Sequence, residues 1–182
     1  MDHLWTGKGD DCTTGLYFGG RVAKDAPEPE AVGSVDEAQA AIGVARAEAP
    51  EGSVLHDART AACGDLYVVM AELATAPVNV AKLVDGRSRA TPEMVAGVEA
   101  RTDAAATRFP PLTDFVIPGE DRLAALLDVA RTLVRRAERR AVPVATPGSA
   151  VVPYLNRLSS LLWALARAEE AAGGGPVRAR DL

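Results

Sequence analysis

Five segments of the chain carry apolar residues three and four positions apart, which is the spacing of one face of an α-helix. The first begins at Ser34, three residues before Glu37, and this is the spacing of a capping box. The others lie within residues 58–75, 91–109, 121–140 and 151–172. Because antiparallel packing is the simplest way to bury five amphipathic faces, the pattern predicts an all-α, five-helix bundle.

The remaining segments lack this periodicity. Residues 1–33 are rich in Gly, Pro, Asp and Thr, which predicts a leader loop with at most a short strand. The proline-rich stretch at 110–120 predicts an ordered loop. We therefore expect a single domain over 1–173, with the helical bundle at 34–173, and a flexible C-terminal tail at 174–182.

Composition narrows the class of protein. Of 182 residues, 48% are hydrophobic and 25% charged, as in an ordinary globular domain. A net charge of −5 argues against a non-specific nucleic-acid binder. No apolar run reaches the ~18 residues of a membrane span, and no secretory signal is recognisable. The cysteines Cys12 and Cys63 are sparse, which favours a cytoplasmic location, and with His3 and His56 they show no metal-ligand spacing.

The leader carries the first candidate chemistry. Its glycines allow successive backbone N–H groups to converge on one anion, and its threonines and lysines add donors suited to phosphate. It is not a Walker A loop, because the order of residues differs and no strand precedes it. A disordered, glycine-rich acidic tail is the alternative interpretation.

A second candidate lies on the fourth predicted helix. Asp128, Arg131, Arg135 and Glu138 recur at steps of three and four beside the apolar face, and residues 131–140 hold five arginines and no lysine. Arginine suits bidentate recognition of phosphate, although a solvated face with internal salt bridges would produce a similar pattern.

Two isolated residues are candidates of a weaker kind. Phe115, in the proline-bounded loop, is either a core anchor or part of a site. Asn156, near the start of the last helix, is either an amide that fixes helix register or a ligand contact.

Five sequence runs, in this order, resemble the PduO-type ATP:cob(I)alamin adenosyltransferases. They are "TGKGDDCTTGL…GGRVAKD", "EAVGSVDEAQAAIG", "LTDFVIPG", "VARTLVRRAERR" and "YLNRLSSLLWALAR". Together they span residues 5 to about 168, nearly the whole chain. Each run is modest alone, but their common order makes the resemblance specific.

The resemblance implies a homotrimer with active sites between subunits. It implies transfer of the 5′-deoxyadenosyl group of ATP to cob(I)alamin, with Mg²⁺ required and triphosphate released. An adenosylcobalamin-dependent mutase or a flavoprotein reductase would be a partner. No nucleic-acid or membrane partner is implied.

The resemblance also assigns roles to residues. Asp36 and Arg131 correspond to a pair that bridges subunits, and Phe115 corresponds to the aromatic residue that favours loss of the axial ligand from the lower corrin face. The ATP contacts correspond to Thr6, Gly7, Lys8, Gly9, Thr14, Gly15, Lys24, Arg135, Arg136, Glu138, Arg139 and Asn156.

Several residues depart from the family pattern. Gly7 and Lys8 replace a basic residue and a threonine, and Cys12 replaces a glycine. Tyr17 and Phe18 replace small or polar residues. Further departures are Asp128 in place of a common His, Glu120 in place of Gly, and Ser160 in place of Asp. These departures leave two alternatives to an active transferase, namely a protein that binds or delivers a nucleotide or corrinoid, and a bundle recruited to other chemistry.

Overall fold

The structure, a computed structural model, describes residues 3–179, except for the side chains of Val54 and Leu55. It confirms the predicted five-helix bundle, preceded by a two-stranded hairpin. The elements are β1 (Thr13–Gly15), β2 (Arg21–Ala23), α1 (Pro27–Glu48), α2 (Val54–Leu73), a 3₁₀ helix (Pro77–Lys82), α3 (Pro92–Ala106), α4 (Arg122–Ala141) and α5 (Val151–Gly173).

Side-chain caps define the start of two helices where the sequence predicted them. Thr91 accepts a hydrogen bond from the backbone N–H of Met94, and Pro92 occupies the first turn of α3. Asp121 accepts in the same way from the N–H of Ala124 at the start of α4. Because these caps satisfy backbone donors that have no partner within the helix, they fix where α3 and α4 begin.

Helix α1 begins at Pro27, and the predicted capping box at Ser34 is wrong. Proline fits the first turn because its missing N–H would have no helical partner there, and Glu28 and Glu30 complement the positive end of the helix dipole. Ser34 is buried in the helix interior. The leader therefore ends at residue 26, seven residues before the predicted boundary.

The C-terminal tail pairs with the loop that contains Phe115. The N–H of Ile117 donates to the carbonyl of Val177 at 2.9 Å, and the N–H of Ala179 donates to the carbonyl of Phe115 at 2.8 Å. The predicted flexible tail thus has backbone partners over its described part, whereas residues 180–182 lie outside the described residues.

Helix α4 lies between α1 and α5 and positions the candidate site. Its buried face alternates alanine with larger residues, and α1 presents alanines in the same way, so the two helices approach closely. The opposite side of α4 carries the arginines. None of the helices within residues 3–179 is apolar over a length that would cross a membrane.

A buried and a half-buried carboxylate tie separate elements together. Glu72 accepts from the backbone N–H of Ala90 and from the hydroxyl of Ser149, both at 2.6 Å. Asp65 accepts from the hydroxyl of the fully buried Tyr154 at 3.0 Å. Burial raises the pKa of Asp65, and burial together with this carboxylate raises the pKa of Tyr154 well above its ordinary value.

Candidate functional site

The leader folds into a hairpin whose tip is attached to the bundle. Strands β1 and β2 pair antiparallel, with Gly15 opposite Arg21. At the tip, the backbone N–H of Tyr17 donates to the carbonyl of Ala74, just beyond α2, at 2.9 Å. Phe18 follows with a positive φ of 62°. The hairpin is thereby held at a fixed place on the bundle, although its residues are largely exposed.

Arg21 joins the strands to the glycine-rich turn. Its Nε donates to the hydroxyl of Thr13 at 2.8 Å, and its Nη2 donates to the carbonyl of Lys8 at 2.7 Å. Nη2 also lies 3.2 Å from a carboxylate oxygen of Asp11. Hydrogen bonds from Thr13, and then the Arg21 charge, lower the pKa of Asp11. The sequence did not single out Arg21, because its importance depends on the hairpin register.

The leader brings several predicted site residues together. The Lys24 side chain lies over Gly9, where a Cβ atom would be only 3.0 Å from Nζ. Gly7 adopts a φ of 66°, and Cys12 adopts a φ of 62°. A glycine is favoured in that conformation, so the cysteine costs about 1 kcal/mol there. Of the remaining predicted leader residues, Thr6, Lys8 and Gly15 are exposed and Thr14 is half-buried.

The arginine-rich face of α4 borders an open cleft. The cleft has a volume of about 240 Å³ and is lined by Arg131 and Arg135 from α4 and by Ser159, Ser160 and Trp163 from α5. Two cationic side chains thus face hydroxyl groups across the cleft. The two guanidinium groups suit an anionic ligand, whereas the hydroxyl of Ser159 donates to the carbonyl of Asn156 at 2.8 Å.

Glu138 and Asn156 extend this surface by one turn of α4. The Asn156 Nδ2 donates to the Glu138 carboxylate at 3.0 Å, and Asn156 Oδ1 accepts from Arg157 at 2.6 Å. These contacts fix the orientation of the amide. The structure therefore brings together two of the predicted site residues from separate helices.

Phe115 lies on the wall of a larger cavity next to the cleft. This cavity has a volume of about 740 Å³, and the ring of Phe115 is 89% exposed. Residues 112–116 and Pro118 form one wall, and Asp128, Arg131, Trp163 and Arg167 form the other. The interpretation of Phe115 as a core anchor is wrong. Arg131 lines both the cleft and the cavity, so the two spaces meet at its side chain.

Other predicted site residues lie apart in the single chain. Asp36 is exposed on α1, whereas Arg131 pairs with Asp128 at 2.8 Å. Arg136 forms an ion pair with Glu37 of α1, and the Arg139 side chain is exposed. Within residues 3–179, no hydrogen bond or ion pair joins a predicted leader residue to an arginine of α4.

These features define a helical bundle with an arginine-rich face on α4, a cavity of mixed polar and apolar lining beside it, and a glycine-rich hairpin. The family model described as cobalamin adenosyltransferase matches residues 4–169. The chain belongs to the cobalamin adenosyltransferase family.

Individual relatives agree with this assignment. The chain is 40% identical over 172 residues to the corrinoid adenosyltransferase PduO of Citrobacter freundii, and the match covers 92% of this chain and 50% of that protein. The chain thus spans about half the length of that relative. It is 39% identical over 178 residues to the corrinoid adenosyltransferase of Mycobacterium tuberculosis, covering 95% of this chain and 91% of the relative.

A solved structure shares the whole fold. It is that of a variant PduO-type ATP:corrinoid adenosyltransferase from Lactobacillus reuteri, complexed with cobalamin and ATP. The match has a TM-score of 0.87 and 25% sequence identity, and it covers 98% of this chain and 97% of that one. The agreement therefore extends over nearly the whole chain.

Proposed function

We propose that this chain transfers the 5′-deoxyadenosyl group of ATP to cob(I)alamin and releases triphosphate. The observation that carries the proposal is the position of Arg131, which lines both the arginine cleft and the Phe115 cavity. A nucleotide bound at the cleft would lie beside a corrinoid in the cavity. The relatives that match most of this chain are corrinoid adenosyltransferases.

The reaction forms one bond and breaks one bond. The electron pair of cob(I)alamin cobalt attacks C5′ of ATP, and the bond between C5′ and the triphosphate oxygen breaks with its electrons going to triphosphate. Cob(I)alamin is already a strong nucleophile, so no general base is required. The protein contributes by aligning the two substrates and by stabilising the negative charge that develops on the departing triphosphate.

The charged residues of the site suit the stabilisation of the departing triphosphate. Arg135 and Arg131 at the cleft, with Lys24 and the backbone N–H groups of the leader, supply positive charge and hydrogen-bond donors. Mg²⁺ would share the triphosphate oxygens, and Glu138 offers a carboxylate oxygen of the kind this ion prefers. Within residues 3–179, no group of three His, Cys, Asp or Glu side chains would hold the ion without the nucleotide.

Phe115 would act on the corrinoid. An apolar ring in the cavity disfavours water or another polar ligand on the adjacent face of cobalt. Loss of that axial ligand makes cobalt(II) easier to reduce to the nucleophilic cobalt(I) state. Because the ring is largely exposed in the single chain, its apolar surface is available to contact a bound corrinoid.

Assembly into a homotrimer would complete the site. In one chain the leader and the arginines of α4 have no mutual polar contact within residues 3–179, and Asp36 is exposed. A neighbouring subunit would bring its leader to this face and pair its Asp36 with Arg131. We place the assembly in the cytoplasm, with a flavoprotein reductase or an adenosylcobalamin-dependent mutase as partner.

A protein that binds or delivers a corrinoid without transfer is the second candidate. It is favoured by the ion pair between Arg131 and Asp128 of the same chain and by the strained backbone at Cys12. Asp128 and Cys12 both depart from the family pattern, and both lie close to where the triphosphate would bind. Bound corrinoid without product formation would identify this function.

An anaerobic spectral assay tests the proposal. Purified protein, MgATP and chemically reduced cobalamin are followed for loss of cob(I)alamin and gain of light-sensitive adenosylcobalamin. Arg135→Ala is expected to lower kcat/KM for ATP by about 10–100-fold, because a charge-assisted hydrogen bond is lost. The control Arg122→Ala, at the exposed start of α4, should stay within about twofold of the wild type. Absence of product from the wild type would refute the transferase.

A further inference from the structure

Four charged side chains, three of them buried, form a connected cluster beneath the Phe115 cavity. Asp128 is only 5% exposed, and its two oxygens accept from Arg131 Nε at 2.8 Å and from Arg167 Nη2 at 2.6 Å. Arg167, 2% exposed, also pairs with Glu170 through Nε at 2.9 Å. Glu170 is 1% exposed. Following the ion pairs from Arg131 through Asp128 and Arg167 to Glu170, positive and negative charges alternate, so the cluster carries no net charge.

Stability alone is a poor explanation for this arrangement. Moving charged groups out of water costs several kcal/mol per ion, and a buried ion pair rarely stabilises a fold more than well-packed apolar residues of similar volume. The neighbouring positions of α4 and α5 are apolar and buried, so apolar residues would suit this depth as well. The charges are better explained by their effect on the orientation of the one side chain of the cluster that reaches the surface.

That member is Arg131. Its side chain is 27% exposed, and it lines both the cleft and the Phe115 cavity. Asp128 lies three residues earlier on the same helix and holds the Nε edge of the guanidinium. A guanidinium is a rigid, planar fork, so a hydrogen bond at Nε also fixes where its two terminal nitrogens point. No hydrogen bond within residues 3–179 involves those terminal nitrogens.

Arg167 and Glu170 support this contact from behind. The second oxygen of Asp128 bonds to Arg167, so the carboxylate cannot rotate without breaking a buried ion pair. Glu170 in turn neutralises Arg167. The carboxylate is therefore held in one orientation before any substrate binds, which is the condition for positioning a cationic group.

We propose that Asp128 is a positioning residue that fixes Arg131 by its Nε edge, so that the terminal nitrogens of Arg131 face the ligands of the cleft and the cavity. We call the contact between Asp128 and Arg131 the clamp. Arg167 and Glu170 are its buried support. The inference rests on the proposed function for the identity of the ligands. It assigns to Asp128, where His is common in the family, a role that acts through Arg131 and not through direct contact with substrate.

A double-mutant cycle tests the clamp. Asp128→Asn keeps the volume and one acceptor oxygen but removes the charge, and we expect it to lower the single-turnover rate of adenosyl transfer by about tenfold. Arg131→Ala should lower the rate by about a hundredfold. If Asp128 acts through Arg131, the double variant will match Arg131→Ala within about twofold. A product of the two losses, about a thousandfold, would overturn the proposal, as would an unchanged rate for Asp128→Asn.

The cycle separates positioning from a purely structural role. A structural Asp128 would reduce the rate by the same factor with or without Arg131, whereas a positioning Asp128 reduces it only where Arg131 is present. If Asp128→Asn does not fold, Arg131→Lys provides the second test, because lysine keeps the charge but has no rigid fork. A tenfold loss with an unchanged melting temperature would support the clamp, and a wild-type rate would overturn it.

Equilibrium binding of MgATP distinguishes this inference from the proposed function. If the wild type makes no adenosylcobalamin, the transferase is refuted. The MgATP affinities of Asp128→Asn, Arg131→Ala and the double variant are then compared by calorimetry. Affinity losses that do not multiply would support the clamp in a binding protein. Losses that multiply, or a wild type that binds no MgATP, would overturn it.

Discussion

Phe115→Ala separates the contribution of the ring to folding from its contribution to corrinoid binding. The ring is 89% exposed, so only about a tenth of its surface is buried in the single chain. Full burial of a phenylalanine contributes about 1.5–3 kcal/mol, and a tenth of that is about 0.3 kcal/mol or less. We therefore expect the variant to fold normally, with a melting temperature within about 1 °C of the wild type.

The larger effect should appear when a corrinoid covers the ring. Burying most of the remaining surface would contribute about 2 kcal/mol, which corresponds to about thirtyfold in affinity. In the proposed mechanism, the ring would also exclude polar ligands from the cobalt face that it contacts. The reduction of cob(II)alamin should therefore suffer beyond the loss of affinity, whereas alkylation of preformed cob(I)alamin should suffer less.

Two assays at saturating corrinoid measure this difference. One starts from cob(II)alamin with a reductant, and the other starts from chemically reduced cob(I)alamin. Val78→Ala is the control, because Val78 is also 89% exposed but lies on the 3₁₀ helix and not at the cavity. Equal rate losses in the two assays would refute the role of the ring in axial-ligand loss. A drop of several degrees in melting temperature would show that the ring is packed.

Four further predictions concern the scaffold around the site. Glu72→Ala should lower the free energy of unfolding in urea by about 3 kcal/mol, because one buried and one half-buried donor lose their acceptor, and Glu72→Gln should cost less. Deleting 175–182 should weaken binding of cob(II)alamin, measured by its absorbance, because the loop beside the cavity loses its backbone partners. Tyr154→Phe should cost about 1–2 kcal/mol at pH 7, because the hydroxyl bonds a half-buried carboxylate. Since burial raises the pKa of Asp65, Asp65→Asn should gain stability relative to the wild type as pH rises above about 4, as urea unfolding at pH 4 and pH 7 would show.

The helices were predictable because their signals are local. Apolar spacing and a capping side chain lie within a few residues of each other, as with Thr91 and Asp121. The start of α1 was missed because Ser34 and Glu37 imitate a cap by spacing alone. Ser34 is in fact a small residue that permits close packing on the buried face of the helix. Pro27, followed by the acidic residues Glu28 and Glu30, was the local signal for the true start of α1.

The contacts within the candidate site were less predictable because they are not local. Arg21 reaches Lys8 only once the hairpin register is set, and the tail reaches the Phe115 loop only once the bundle is closed. Arg167 lies 39 residues from Asp128, inside a helix whose neighbouring residues are buried and mostly apolar. Nothing in the spacing of α5 marks that arginine as the partner of a carboxylate on α4.

The same geometry resolves how Arg131 can serve two carboxylates. Asp128 of the same chain bonds the Nε edge of Arg131. The two terminal nitrogens therefore remain for groups outside this chain, on the cleft and cavity side of α4. In the proposed trimer, the Asp36 of a neighbouring subunit would bond one terminal nitrogen without displacing Asp128, and the other terminal nitrogen would remain for a ligand of the cleft or the cavity. The guanidinium would then be fixed from both sides at the junction of the cleft and the cavity. In this arrangement Asp128 reinforces the subunit contact that the family resemblance implies, and its negative charge does not compete with it.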